Sequence, residues 1–236
     1  MSFIKENLED VKKRIAAAAE KSGRSAEDVT LVAVTKTHPV EMINEAISLG
    51  VTDIGENKVQ EIMDKYEHVT PGVRWHLIGH LQTNKVKYII DKVYMIHSVD
   101  SIKLMDEIER QAEKHGVDFI RILIQVNITG EESKFGIDSS ELDAMLRHAE
   151  ELKHIKVCGL MTIMPKFDSE FANRLHFRDI NNKFIDISRN KYDNINMEFL
   201  SMGMSGDFEV AIEEGSNMVR VGTAIFGERD YSLNNN

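Results

Sequence analysis

The run Val32-Ala33-Val34-Thr35-Lys36-Thr37-His38 sets a lysine at the end of an apolar, β-branched segment. Burial there disfavours an ammonium ion and makes a nucleophilic amine available, the chemistry of Schiff-base formation with a carbonyl. The competing reading is a lysine whose stem crosses apolar surface while its charge stays in water. Trp75-His76-Leu77-Ile78-Gly79-His80 carries two histidines four residues apart. On a helix this would be metal-ligand spacing, but the zinc-protease glutamate is missing. Gly79 and the apolar alternation favour a strand whose one face carries both His76 and His80. His80 then lies nearer the carboxyl end, open to ring stacking, hydrogen bonding or a structural role.

Two later stretches suit an anion. Leu200-Ser201-Met202-Gly203-Met204-Ser205-Gly206-Asp207 opens a helix with small residues, and Gly222-Thr223 follows the apolar run ending at Val221. Backbone N–H groups at helix starts with little side-chain bulk approach an anion closely. Arg220 stands just before that second pair. A guanidinium keeps its charge inside an apolar run and needs a partner, either an interior carboxylate such as Glu198 or an acceptor nitrogen on a ligand. Gly55-Glu56-Asn57 adds an amide that either faces the same region or caps the next helix.

These residues are positioned by an alternation of two periodicities. Residues 3–19 place Phe3, Leu8, Val11, Ile15 and Ala18 on one helical face, and Gly23 ends that helix. Strands are predicted at 30–35, 53–54, 75–78, 94–97, 120–126, 157–161, 198–201 and 218–221. Helical segments fill 40–49, 57–67, 82–91, 100–115, 138–152, 169–189 and 206–214. Alternating strands and helices require parallel crossovers, and eight such units in 236 residues predict one closed (β/α)8 barrel domain over 1–236. Little chain follows the eighth strand, so the leading helix is expected to cover the seam. In such a barrel, functional side chains gather at the carboxyl ends of the strands, and the loops after strands seven and eight recurrently hold phosphate. Lys36, Asn57, His80, Ser205, Gly222 and Thr223 all fall at those ends.

Composition narrows the partners. A net charge of −10 argues against a nucleic-acid wrapper and against a peripheral protein of anionic membranes. The one cysteine, Cys158, cannot form an internal disulfide and reads as a buried thiol. No apolar stretch has the length of a transmembrane helix, and Lys5 and Glu6 interrupt any early signal peptide. Asn127-Ile128-Thr129 fits the glycosylation triplet by chance in that setting. The expected address is the cytoplasm.

The set Val34-Thr35-Lys36, Gly55-Glu56-Asn57, His76-x-Ile78-Gly79-x-Leu81-Gln82-x-Asn84-Lys85, Gly159-Leu160-Met161, Ser201-Met202-Gly203-Met204-Ser205-x-Asp207 and Arg220-x-Gly222-x-Ala224-Ile225-Phe226-Gly227 resembles the pyridoxal phosphate homeostasis family. These are barrels related to the amino-terminal domain of alanine racemases, of the type called PLP fold type III. The resemblance runs over nearly the whole chain. It implies pyridoxal 5′-phosphate (PLP) as a Schiff base on Lys36. It also implies that Ser205, Gly222 and Thr223 hold the phosphate, that Arg220 faces the pyridine nitrogen, and that Asn57, His80 and Met161 line the cofactor. An arginine at that nitrogen weakens the electron sink that most PLP enzymes use. In the racemases a tyrosine from a second domain supplies an opposing base, and none of Tyr66, Tyr88, Tyr94, Tyr192 and Tyr231 is an obvious substitute. The implied function is therefore binding, buffering and delivery of PLP in vitamin B6 and amino-acid homeostasis, with PLP-dependent apoenzymes as partners and a monomer as the expected state. The alternative is a weak racemase or lyase. Lys134-Phe135-Gly136, after the fifth strand, reads either as a participant in release or as plain surface.

Overall fold

A computed structural model describes residues 2–128, 135–164, 170–190 and 192–228. Eight parallel strands close into a barrel in chain order. They are β1 (Thr30–Val34), β2 (Asp53–Glu56), β3 (Arg74–Leu77), β4 (Met95–Val99), β5 (Ile120–Gln125), β6 (Ile155–Met161), β7 (Ile195–Met204) and β8 (Met218–Val221). The helices are α1 (Phe3–Lys21), α2 (Val40–Ser48), α3 (Val59–Lys65), α4 (Ile102–His115), α5 (Leu142–Glu150), α6 (Glu170–Ser188), α7 (Phe208–Glu213) and α8 (Thr223–Phe226). Pairing of β1 with β8, Val32 beside Arg220, closes the ring.

The strands read as apolar runs because both faces are covered. Outward residues such as Ala33, Ile54, Leu77, Ile96 and Ile122 join the main core beneath the helices. Inward residues Val32, Met95, Leu123, Cys158, Met161 and Met218 form a smaller cluster inside the barrel. Helix α1 buries Ile4, Leu8, Val11 and Ile15, and Asn7 donates to the carbonyl of Ile225 at 3.0 Å. It thus covers the seam beside the four-residue α8, as the short tail predicts.

Several boundaries differ from the sequence reading. β2 continues to Glu56, and β7 runs ten residues, well beyond 198–201. Segment 82–91 contains only a 3-10 turn at Thr83–Tyr88; Thr, Asn, Val and Tyr are weak helix formers, so a full helix does not pay back its nucleation there. Strand β3 stops at Leu77, which leaves His80 beyond the sheet and not on a face shared with His76.

Candidate functional site

Lys36 lies two residues past β1, half-buried. Thr35 points outward, its hydroxyl donating to Glu56 Oε1 at 2.7 Å, and Lys36 follows it in a turn closed by the His38 N–H donating to the Thr35 carbonyl at 3.1 Å. The backbone on both sides of it is gripped from α3. Lys65 Nζ donates to the Thr35 carbonyl at 3.1 Å, and the Thr37 N–H donates to Glu61 Oε2 at 2.6 Å. Thr37 has φ 66°, the only positive value outside glycine among the described residues. A β-branched residue in that region carries strain of about 1–2 kcal/mol, and the Glu61 bond helps hold it.

The loops after β7 and β8 meet at one oxygen. Ser205 Oγ accepts from the N–H groups of Gly222 at 3.2 Å and Ala224 at 3.4 Å. A side chain at Gly222 would be crowded, because a Cβ there would lie 3.0 Å from the carbonyl oxygen of Val34. Thr223 is exposed at the first position of α8. The Asp207 carboxylate ties the turn by accepting from the Met204 N–H at 2.6 Å, and burial raises its pKa above the usual carboxylate value. The helices that follow have six and four residues. Individual N–H groups and hydroxyls, rather than a long helix dipole, are therefore what this corner offers an anion.

Arg220 is buried and does not pair with Glu198, which is exposed. Its Nη1 donates to Ser201 Oγ at 2.6 Å and its Nη2 to the Thr162 carbonyl at 2.8 Å. Burial pulls its pKa down to about 10, partly countered by Asp207, so it stays cationic at neutral pH. From Ser201 a hydrogen-bonded chain continues: His97 Nδ1 lies 3.1 Å from Ser201 Oγ, His97 Nε2 2.8 Å from His76 Nδ1, and His76 Nε2 2.9 Å from Asp53 Oδ1. Asp53 in turn accepts from Arg74 at 2.6 Å. Burial holds both imidazoles below the ordinary histidine value, His97 well below it.

The remaining expected residues are more dispersed. Asn57 does not cap α3, whose N-cap is Lys58 with no side-chain bond. Its backbone instead packs against Gly79, where a Cβ would fall 2.3 Å from the Asn57 carbonyl oxygen. His80 stacks on Phe135, centroids 3.9 Å apart and 13° from parallel, with Nδ1 3.4 Å from Asp100. Met161 ends β6 fully buried within the barrel. Lys134 lies outside the described residues. Sequence reasoning missed the interior roles of Asp53, His97 and Ser201, whose signal is a polar residue in an apolar strand, and the grip of Lys65, a helix residue without that signal.

Taken together, a half-buried lysine, a corner of converging N–H groups and a buried arginine at the carboxyl ends of the strands define a ligand-binding (β/α)8 barrel. The alanine racemase N-terminal domain matches residues 6–230, and the chain belongs to that family and, within it, to the pyridoxal phosphate homeostasis proteins. A pyridoxal phosphate homeostasis protein of Aquifex aeolicus is 44% identical over 227 residues, spanning 96% of this chain and 98% of the relative. Its counterpart in Escherichia coli is 40% identical over 237 residues, spanning 98% and 99%. PipY of Synechococcus elongatus, solved with PLP bound, superposes with a TM-score of 0.81 at 30% identity, covering 95% of this chain and all of PipY. Alanine racemase of Streptomyces coelicolor, at 19% identity and TM-score 0.67, shares the fold over 57% of its length. No described helix is long and apolar enough to cross a membrane.

Proposed function

We propose that this chain binds PLP at the barrel mouth, attached through the Lys36 amine, and acts as a reservoir that buffers and delivers it. The observation that carries the reading is the meeting of Gly222 and Ala224 N–H groups on Ser205 Oγ, at the same strand ends as Lys36 and Arg220. Two donors already sharing one oxygen suit an oxyanion, and the glycine leaves no side chain in the way. The names of the relatives and the PLP in PipY support it.

In this reading Ser205, Gly222 and Thr223 hold the phosphate. Arg220 faces the ring nitrogen, and Asn57, His80 and Met161 line the ring. Bound PLP supplies an aldehyde that condenses with amines and a ring that draws electrons from the product. Arg220, cationic and desolvated, leaves the ring nitrogen unprotonated and so weakens that electron withdrawal. Residues 1–236 then work as one barrel unit, a monomer in the cytoplasm, whose partners are PLP-dependent apoenzymes.

The test adds PLP, removes the excess, and treats the protein with borohydride before peptide mapping, with Lys36→Ala alongside. A stable adduct on the Lys36 peptide, lost in the variant, is expected. The same adduct in the variant, or none in either, overturns the assignment. Exchange of amino-acid α-protons in deuterated water above the rate with free PLP would replace the reservoir with a weak racemase or lyase.

A further inference from the structure

Arg220, Ser201, His97, His76 and Asp53 form one hydrogen-bonded line through the barrel interior, linking β8, β7, β4, β3 and β2. The chemistry of its ends dictates its direction. The Asp53 carboxylate only accepts, so His76 carries its proton on Nε2. A neutral His76 then accepts at Nδ1, which puts the His97 proton on its own Nε2. His97 Nδ1 must therefore accept, and the Ser201 hydroxyl donates to it while accepting from Arg220. With both imidazoles neutral, no other arrangement gives every group a partner. Ser201 is thus a hydroxyl that cannot rotate away without stranding a buried imidazole nitrogen.

We infer that Asp53, His76, His97 and Ser201 are positioning residues that hold the Arg220 guanidinium in one orientation toward the ring nitrogen of the cofactor. The inference rests on the PLP reading above. None of the four need touch the ligand. Their effect travels through Ser201, which anchors Nη1, while the Thr162 carbonyl anchors Nη2. The remaining N–H groups of Arg220 are then aimed by two fixed points instead of one. Leaving a buried donor or acceptor unpaired is what makes such a line hold its direction.

The test compares wild type with Ser201→Ala, Ser201→Thr and His97→Leu, each checked for folding by circular dichroism. Heteronuclear NMR of the protein without PLP reads the histidine tautomers directly, and both His76 and His97 are expected as Nε2–H in the wild type. PLP labelled with nitrogen-15 in the ring then reports the Arg220 contact. We expect its ring resonance to move in Ser201→Ala and His97→Leu, with PLP affinity about tenfold weaker, while the borohydride adduct stays on Lys36. Ser201→Thr keeps a hydroxyl and is expected to restore the wild-type resonance. Unchanged resonances in folded Ser201→Ala and His97→Leu, or an Nδ1–H tautomer at either histidine, overturn the inference and leave PLP binding standing. A wild type that takes up no PLP overturns both.

Discussion

Lys65 reaches from the last turn of α3 to donate to the carbonyl of Thr35 at 3.1 Å, and so grips the residue just before Lys36 from outside the barrel. The same ammonium binds Glu56 Oε1 and Glu61 Oε2, both at 2.8 Å. Glu56 is fully buried and Lys65 nearly so. Removing one member of a buried ion pair is far worse than never having had it, because the other charge is left desolvated and alone. Lys65→Met is therefore expected to lower the unfolding free energy by about 3 kcal/mol and to slow the borohydride-trapped labelling of Lys36. Lys65→Arg, which keeps the charge, should retain most of both. Urea unfolding and timed labelling of the three proteins check this, and a Lys65→Met protein as stable as the wild type would refute the grip.

The same cluster predicts a pH dependence. Burial raises the Glu56 carboxyl from the ordinary 4.5 to about 7, against the opposing pull of Lys65, and its Oε2 finds no partner. Between those two values the folded chain holds a proton that the unfolded chain has lost. Stability from this group therefore falls as pH rises through that window, by at most about 1.4 kcal/mol per unit. Glu61 is also desolvated, but Lys65 and the Thr37 N–H hold its pKa below the ordinary value, so its contribution is lost at more acid pH. Glu56→Gln should flatten the slope between about pH 5 and about pH 7. Urea titrations across that range would show equal slopes for wild type and variant if the proton resides elsewhere.

The barrel was legible because each strand is a short apolar run and each helix repeats at a longer period. Lys36, Ser205 and Gly222 stood out because they end such runs. The interior line was not legible. His97 and Ser201 are 104 residues apart in the chain, and only closure of the barrel brings them together. For Arg220 the sequence leaves open an interior carboxylate such as Glu198 or a ligand nitrogen; its guanidinium bonds to Ser201 and to the Thr162 carbonyl, while Glu198 is exposed. His80 was misplaced because Gly79 packs on Asn57, which turns the chain out of the sheet after Leu77.

Cys158 offers a check on the interior itself. It faces into the barrel among Val32, Met95 and Met161, and burial pushes its thiol up to about 11. Reaction with alkylating or disulfide reagents requires a thiolate and access. In mildly alkaline buffer the native thiol should resist such reagents and react fully only in denaturant. Rapid stoichiometric labelling of the folded protein would show that the interior opens.

Gly159 tests whether the register of β6 positions the mouth. On the β5 side, Ile122 pairs with Val157 and Leu123 with Gly159, so Cys158 is an extra residue that bulges the strand. Gly159 has φ 146°, and a Cβ there would lie 1.8 Å from the carbonyl oxygen of Phe199. Neither the angle nor the space admits a side chain, and backbone of β7 must move to make room. Met161, two residues on, would shift with it. Gly159→Ala is expected to cost about 4 kcal/mol or more, in the range reserved for named core or backbone defects. Gly206→Ala is the matched control: nothing lies within 4 Å of its Cβ position and its backbone is not left-handed, so its stability should stay within about 0.5 kcal/mol of wild type. Urea midpoints for the two variants decide the matter. If Gly159→Ala is no worse than Gly206→Ala, the bulge is tolerant and does not hold the inner end of β6 in place.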